Sequence, residues 1–426
     1  MAGLLGSLHS AKSGMTVSQL SIQTTSHNIN NMNTPGYSRQ RVEQSAKSAY
    51  SYPGYNSSMG AGQLGTGVEA TDIIRIRNTF SDFQYRNESH NYGETGIKYE
   101  HYTNMETIFN EPSETGISAS INNFFTSWHE LSKKPNDNGS KDIVIQNSKY
   151  LANNISQIAK KLENLGEQAT QKLGEDVSYI NSMLNQLRDL EKHIKIVEGS
   201  GKSPNDLLDE KDKILDELSF KMNIQNEDVK TLLKDKIENG GDVTVDELKA
   251  IPNISGEVKG SLDMIDKIKG YVDDVKELAK GISNSVNDTL GIDLFEYNAG
   301  GNPILKLKDD ILDGTTDLRI TTDVAREMYK LKDKKVTIGG EDTTIDKFYN
   351  NIIQKLGNET QEVRRNEKNQ SKILKEIDNA RSNVSGVSLD DEMVNLIQFQ
   401  HAYNASAKVV STIDSLLDVV INGLVR

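Results

Sequence analysis

The feature that most constrains this chain is a regular apolar stripe near its C-terminal end. From Leu396 to Leu424, apolar or aromatic residues recur at spacings that alternate between three and four, and only Ser406 interrupts them. This spacing places the residues on one face of a helix, as in the seam of a coiled coil. The stripe comprises Leu396, Phe399, Tyr403, Val410, Ile413, Leu417, Val420 and Leu424. Because a seam needs a partner, we expect this helix to pack against an earlier part of the chain or against another molecule.

A second stripe of the same kind lies at the opposite end of the chain. Between Leu4 and Met32 the spacings again alternate between four and three. Its apolar residues include Leu4, Leu8, Met15, Ile22 and Ile29. Two interpretations fit a pair of amphipathic terminal helices. They form an antiparallel pair if the chain leaves and re-enters a central body on the same side, or each docks separately on one core.

The composition restricts the classes of function. With 49 Lys and Arg against 62 Asp and Glu the net charge is −13, which disfavours binding to nucleic-acid phosphates. Hydrophobic residues form only 35% of the 426 residues, which favours long, thin helical layers over a thick core. The sequence has no cysteine, no apolar run long enough to cross a membrane and no secretory signal. Taken alone, these features predict a cytoplasmic protein whose partners include neither nucleic acid nor a membrane.

We find no sequence pattern that carries catalytic chemistry. H-E-x-x-H, G-x-S-x-G, Walker A and EF-hand patterns are absent, and the seven histidines are scattered. The glycines at 60–65 match G-x-G-x-x-G, but β-type residues follow them where a dinucleotide site needs a helix. We therefore predict no enzymatic activity, no catalytic residue, no cofactor and no metal.

The first helix ends in a run of asparagines followed by a turn. Asparagine side chains compete for backbone hydrogen bonds where a helix frays, and Pro-Gly then stops it. The residues concerned are Asn28, Asn30, Asn31, Pro35, Gly36 and Tyr37. From the residues alone this is a helix end and a turn, after which we expect a β-hairpin near 67–77.

Long helices occupy much of the middle of the chain. The stripe within 113–131 includes Trp128, which we expect in the core. Within 141–198 two heptad runs, from Leu151 to Ala169 and from Leu173 to Leu187, are offset near Gly174. The segment 293–340 carries turns and short β-type runs, so we expect a small, partly β section there.

An acidic segment follows residue 203. Ser203 and Pro204 fit an N-cap and the first position of a helix. Asp206, Asp209 and Asp212 then come within two turns. Such a cluster could hold a metal or act in acid–base chemistry, but we interpret it as a solvated charged helix face, the more common reason for one. Later in the chain, Ser388 fits the N-cap of the last helix.

Several of these segments resemble the axial proteins of the bacterial flagellum. The Asn-rich helix end with its Pro-Gly-Tyr turn and Arg39 is similar to that of rod, hook and hook-associated proteins. The segment 203–212 and the run 385–403 are similar to the hook-associated protein 1 family. The segment 256–294 also looks like that family, and the matching segments keep its order.

The resemblance implies a mainly α fold. The terminal helices, 1–33 and 389–426, would pair as an antiparallel coiled coil that forms an inner tube. The residues of 34–220 and 256–388 would form a long-helix middle domain that includes the hairpin and the small, partly β section. The segment 221–255 would be a short insert in place of a larger outer domain.

The resemblance also implies a structural role at the hook–filament junction. The chain would pass through the type III export apparatus and assemble outside the cell as a ring of identical subunits. Its other partners would be the hook protein, hook-associated protein 3 and an export chaperone at the C-terminal helix. The alternatives are another axial protein, such as hook-associated protein 3 or flagellin, and a secreted adhesin or enzyme carried on axial-protein ends.

Overall fold

The computed structural model describes residues 2–47, 65–312 and 320–423, and this part of the chain is mainly α-helical. The helices are α1 (Ala2–Asn30), α2 (Thr79–Phe109), α3 (Ile117–Lys133), α4 (Asn138–Gly199), α5 (Asn205–Lys221), α6 (Glu227–Asn239), α7 (Val245–Lys249), α8 (Glu257–Leu290), α9 (Asp309–Leu312), α10 (Thr322–Lys330), α11 (Ile345–Ser385) and α12 (Leu389–Asn422). The strands are β1 (Gln40–Ala46), β2 (Val68–Arg75), β3 (Phe295–Tyr297), β4 (Leu305–Leu307), β5 (Val336–Ile338) and β6 (Glu341–Thr343). They pair antiparallel as β1–β2, β3–β4 and β5–β6. The predicted mainly α fold is confirmed, and so is the partly β character of 293–340.

The two terminal helices pair antiparallel. A Cβ placed on Gly14 of α1 would lie 3.2 Å from the Oγ of Ser406 on α12. Asn28, further along α1, donates a hydrogen bond to Glu392, which lies earlier on α12. Residue numbers along α12 therefore decrease as those of their contacts on α1 increase. Of the two interpretations of the termini, the structure has the direct pair.

The face of α1 that becomes most buried is not its apolar stripe. Leu4, Leu8, Met15, Ile22 and Ile29 are all only partly buried. The buried residues are mostly small and polar, namely Ser13, Val17, Ser18, Ser21, Thr24, Thr25 and Asn28. The reason is that α1 has two neighbours, α12 and the β1–β2 ladder, and small side chains allow both to approach closely. The apolar stripe of α1 is therefore only partly covered within one chain.

The ladder β1–β2 lies against α1. The prediction of a β-hairpin near 67–77 was wrong, because that range contains β2 alone and its partner β1 comes from just after the Asn-rich turn. The backbone N–H of Val68 donates to Ser13 Oγ at 3.2 Å, and Gln44 donates to Ser21 Oγ at 3.4 Å. The sequence placed this β element with the middle helices, whereas these hydrogen bonds tie it to the terminal helix. The glycines at 60–64 lie outside the described residues.

The middle helices form two hydrophobic cores, and α4 runs through both. The heptad run from Leu151 to Ala169 packs in the first core with parts of α2, α3, α8, α10 and α11. The run from Leu173 to Leu187 packs in the second with α5, α6 and α7. The offset near Gly174 therefore coincides with the change of core. Burial of each large apolar side chain stabilises the fold by about 1.5–3 kcal/mol.

Two further sequence expectations concern these cores. Trp128 is fully buried in the first core, as predicted. The segment 221–255 forms α6 and α7, whose Val229, Leu233 and Leu248 are buried in the second core. This segment thus packs as a part of the helical body.

The two predicted N-caps have different outcomes. Ser388 Oγ accepts a hydrogen bond from the N–H of Asp391 at 3.4 Å and caps α12, as predicted. Ser203 does not cap α5, which begins at Asn205. The Oγ of Ser203 donates instead to Asp72 at 2.6 Å, because β2 lies beside the start of α5. The capping prediction for Ser203 was therefore wrong.

Candidate functional site

The Asn-rich motif is centred on Asn28, which is 1% exposed. Its Oδ1 accepts hydrogen bonds from the N–H of Gln40 at 2.9 Å and from the hydroxyl of Tyr37 at 2.8 Å. Its Nδ2 donates to the carbonyl of Gln40 at 2.9 Å and to Glu392 Oε2 at 3.0 Å. All four hydrogen-bonding positions of the amide are used, as a buried polar group requires. Asn28 therefore joins the end of α1 to the start of β1 and to α12.

Tyr37 occupies a polar position beside Asn28. Its hydroxyl lies 2.9 Å from His27 Nδ1, and the two rings meet edge to face. Burial raises the pKa of Tyr37 above its usual range, and the negative charges of Asp206, Asp209 and Glu392 raise it further. Tyr37 thus remains a neutral hydrogen-bond donor.

The other motif residues shape the turn that brings Tyr37 into place. Asn31 donates to the carbonyl of His27 at 3.0 Å, and Asn30 and Pro35 are exposed. Gly36 has a φ of +84°, and its Cα lies so close to Lys213 that a Cβ would be 3.3 Å from that side chain. Both the backbone conformation and the space favour glycine.

Glu392 is the residue of α12 that binds both the end of α1 and the segment that precedes β1. It is 1% exposed, and it accepts hydrogen bonds from Asn28 and, at 2.9 Å, from the Nε of Arg39. The backbone N–H of Arg39 also donates to the carbonyl of Ser385, at the end of α11, at 2.9 Å. Sequence reasoning missed Glu392, because it was one of three acidic residues in the first turn of α12 and was read as part of the helix start.

The acidic face of α5 receives the segment that follows Tyr37. Asp209 accepts from the N–H of Ser38 at 2.9 Å and from its hydroxyl at 2.6 Å. Asp206 accepts from the side chain of Gln40 at 3.0 Å. The interpretation of this face as a solvated charged surface was wrong, since Asp209 is 6% exposed.

Arginines from β2 and the loop after it also bind this face. Arg75 donates to Asp209 and Asp212, each at 2.8 Å. Arg77 pairs with Asp82 at 2.7 Å and lies 3.2 Å from Asp212. Arg75 and Arg77 are therefore partners of the acidic cluster on α5.

Two arginines from the body complete the set. Arg86 of α2 donates to Asp212 at 2.9 Å and to Asp216 at 2.6 Å. Arg381 of α11 pairs with Asp216 at 2.5 Å, and its guanidinium lies 3.8 Å above the ring of Tyr85. Planar guanidinium groups suit both contacts, because they bond carboxylates in a fixed geometry and stack on aromatic rings.

We call this connected set of side chains the joint. It comprises Asn28, Tyr37, Ser38, Arg39, Gln40, Arg75, Arg77, Asp82, Tyr85, Arg86, Asp206, Asp209, Asp212, Asp216, Arg381 and Glu392. The joint links α1, α12 and the β1–β2 ladder to α2, α5 and α11 of the body. Of the charged residues of this set, Asp206, Asp209, Asp212 and Arg39 were singled out from the sequence. Arg75, Arg77, Arg86 and Arg381 were not predicted, because they come from separate parts of the chain.

The charges of the joint stabilise each other. Burial would raise the pKa of Asp212, but the charge of Arg77 and hydrogen bonds from Arg86 and Arg75 outweigh it and lower that pKa. Burial would lower the pKa of Arg86, but Asp216 and Asp212 outweigh it and raise that pKa. Both shifts favour the charged form of the group concerned, and the role of the joint is to hold segments in place.

The seam of α12 is incompletely covered within one chain. Ile413 is buried, Leu396, Phe399, Tyr403, Val410 and Leu417 are partly buried, and Val420 is 42% exposed. Leu424 lies outside the described residues. Further apolar side chains of α12 are exposed beside the seam: Met393, Ile397, Val409, Leu416, Val419 and Ile421. Sequence reasoning missed this second set, because it does not follow the heptad.

Within the described ranges, no group of three or more acidic or histidine side chains is placed to hold a metal ion. No described helix is both long and apolar enough to cross a membrane.

Comparison with known proteins relates the chain to flagellar families. Residues 102–232 match the family described as the flagellar hook-associated protein FlgK helical domain. Residues 8–37 match the flagella basal body rod protein family, and residues 380–423 match the C-terminal family of the basal body rod FlgEFG proteins. The latter two matches contain Asn28 and Glu392, respectively.

Three relatives are each called flagellar hook-associated protein 1. That of Bacillus subtilis (strain 168) is 30% identical over 495 aligned residues, covering 98% of each chain. Those of Salmonella typhimurium and Escherichia coli K12 are 22% and 21% identical, each covering 97% of this chain and 99% of the relative. A solved structure, the flagellar hook junction protein FlgK from Burkholderia pseudomallei, matches 50% of this chain and 46% of its own at a TM-score of 0.39 and 15% identity.

Proposed function

The chain belongs to the flagellar hook-associated protein 1 family, and from that premise we propose that it assembles as a ring of identical subunits between hook and filament. It is a structural component of the bacterial flagellum, a junction protein that assembles with other flagellar proteins. Its relatives are structural proteins, and we infer that it is not an enzyme. The alternatives, another axial protein or a secreted adhesin or enzyme, are not favoured by these relatives.

The observation that carries the proposal is the incomplete burial of the terminal helices. Val419 and Ile421 of α12 are each 63% exposed, and Leu416 is 49% exposed. Leu5 of α1 is 52% exposed. Contiguous apolar surface of this kind is typical of a site that binds another protein. We infer that neighbouring subunits cover these side chains, and that the seam residues of both helices belong to that packing.

The terminal helices and the helical body would therefore have different structural roles. The pair 1–33 and 389–426 would form the inner tube, and the helical body around α4 and α8 would form the layer outside it. The joint would hold the tube-forming pair at a fixed orientation to the body. The aligned lengths of 495 and 559 residues exceed the 426 of this chain, so the relatives carry segments that it lacks. Their greater length supports a reduced outer domain, and we propose that it is reduced around 221–255.

We also propose the partners that a position in this assembly requires. They are copies of the same chain, the hook protein on one side and hook-associated protein 3 on the other. Before export through the type III apparatus, a chaperone would cover the exposed apolar side chains of α12. The assembled protein would lie outside the cell, at the hook–filament junction. Asn28 and Tyr37 would act in the joint rather than in contacts between subunits.

The test is a charge placed in the seam. We expect Leu417→Asp to abolish assembly at the junction, because a carboxylate in an apolar contact cannot be paired. Ser411→Asp is the matched control, since it adds the same charge at an exposed position of the same helix. Immunogold labelling should show a band at the hook–filament boundary for the parent and the control and none for Leu417→Asp. Normal filaments with the seam variant would contradict the proposal, and labelling along the whole filament would indicate a flagellin.

A further inference from the structure

The apolar stripes of the terminal helices do not fix their position along each other. The buried face of α1 consists mostly of small and polar residues, and on α12 the apolar residues Tyr403, Val410 and Leu417 recur every seven positions. Sliding one helix past the other by a heptad, about 10 Å, would again place small side chains of α1 opposite apolar side chains of α12. A strict heptad repeat therefore allows several alignments with similar contacts.

The close approach of the helices is also repeated. Gly14 meets Ser406, and Ser7 and Ser21 lie seven residues before and after Gly14. A shift by one heptad in either direction would bring a serine to Ser406. A serine is small enough that this contact does not strongly select one alignment.

Glu392 does distinguish the alignments. Its carboxylate is buried and is bonded to Asn28 and Arg39, at 3.0 and 2.9 Å. Each of these two partners also has a hydrogen bond that does not involve Glu392. Asn28 donates to the carbonyl of Gln40, and the backbone N–H of Arg39 donates to the carbonyl of Ser385. A shift of about 10 Å would remove both partners and leave a buried carboxylate uncompensated.

The connection to α11 does not by itself impose the alignment. Only residues 386–388 join the two helices, but the first turns of α12 have few other buried contacts. Leu389 is 43% exposed, Met393 44% and Val394 64%. These turns could unwind to allow a shift. Glu392 is the one residue of this stretch that is buried.

We propose that Glu392 is the positioning residue that fixes the axial alignment of α12 along α1, through its contacts with Asn28 and Arg39. A single buried polar contact can select one alignment of a coiled coil in this way. The proposal does not depend on the function of the assembled protein, because it concerns contacts within one chain.

The absence of cysteine from the chain allows a direct test with engineered pairs in the full-length protein. The aligned pair is Gly14→Cys with Ser406→Cys. The shifted pairs combine Ser406→Cys with Ser7→Cys or with Ser21→Cys. A shift of seven residues exceeds the reach of a disulfide, so only the aligned pair should cross-link in the parent.

The three pairs are then compared in the Glu392→Leu background, which continues the apolar stripe and removes the carboxylate. We expect the yield of the shifted cross-links to rise about tenfold or more relative to the aligned one. Asp414→Leu, which removes an exposed carboxylate from the same helix, should leave the yields unchanged. Shifted yields as low as in the parent would overturn the proposal. Loss of all three cross-links would also overturn it, because Glu392 would then be needed for pairing itself.

Discussion

At the scale of single residues, Asn28 shows why this position needs an amide. The side chain donates to the carbonyl of Gln40 and to the carboxylate of Glu392, and it accepts from the N–H of Gln40 and from the hydroxyl of Tyr37. Aspartate has a similar shape, but it cannot donate and it carries a charge. An apolar residue would leave the N–H and carbonyl of Gln40 without their partner.

We therefore expect Asn28→Asp to weaken the docking of the terminal helices by about 2–4 kcal/mol, because it replaces a donor to Glu392 by a second buried negative charge. Hydrogen exchange of α1 and α12 should accelerate, while that of α4 should not change. The control is Asn30→Asp, at an exposed position two residues along. Equal effects of the two substitutions would mean that the hydrogen bonds of Asn28 contribute little.

Two histidines of α2 give the body a dependence on pH. His90 and His101 are each 6% exposed, and burial lowers the pKa of both below the usual 6.5. The unfolded chain therefore takes up protons at a higher pH than the folded chain does. The contribution to stability is fully present above about pH 6.5 and is lost as the pH falls from there through the lowered pKa values of the two folded-state histidines.

We expect the free energy of unfolding to decrease as the pH falls below 6.5, by up to about 1.4 kcal/mol for each unit by which a histidine pKa is lowered. The double variant His90→Gln and His101→Gln should be less sensitive in this range. Urea unfolding at several pH values measures the effect, and His193→Gln, at an exposed position, is the control. A pH dependence that the double variant leaves unchanged would show that other groups cause it.

At the scale of elements, α5 supplies most of the carboxylates of the joint. Its carboxylates at 206, 209, 212 and 216 lie on one face and receive side chains from β1, β2, α2 and α11. Asp212 is bonded to Arg75 and Arg86 and lies close to Arg77. It is the carboxylate shared by the greatest number of arginines in the joint.

We expect Asp212→Asn to destabilise the joint by about 2–4 kcal/mol, because it leaves partly buried arginines with less compensating charge. Glu210→Gln changes a neighbouring exposed residue of the same helix and should have little effect. Thermal unfolding of the two variants, at low and moderate salt, provides the comparison. If both variants unfold at the temperature of the parent, the joint does not limit stability.

The elements also show how far the sequence predicts this structure. The heptads of α4 predicted its core face correctly, since periodic apolar residues report directly which side of a helix is buried. The buried face of α1 was not predictable in this way, because it depends on two neighbours that the periodicity of α1 does not contain. The joint was predicted only in part, since Arg75, Arg86 and Arg381 are distant in the sequence and come together only through folding.

At the scale of the whole molecule, stability is unevenly distributed. Among the described residues, both hydrophobic cores lie in the body, and neither includes a residue of α1 or α12. Within the described parts of these two helices, Val17 and Ile413 are the only apolar residues that are buried. The terminal pair is therefore held mainly by the joint at one end and by its own partial seam.

We expect the terminal helices to be mobile in a dilute monomer, because two amphipathic helices without a complete core are marginally stable in water. Hydrogen exchange should be faster in α1 and α12 than in α4 and α8. Within the pair, protection should be greatest near Asn28 and Glu392 and should decrease toward Leu8 and Val420, away from the joint. In assembled flagella both helices should become protected, since neighbouring subunits would cover the exposed apolar side chains. Protection of 1–33 and 396–424 equal to that of the body in the monomer would contradict this, and a uniform loss along the pair would show that the joint does not anchor it.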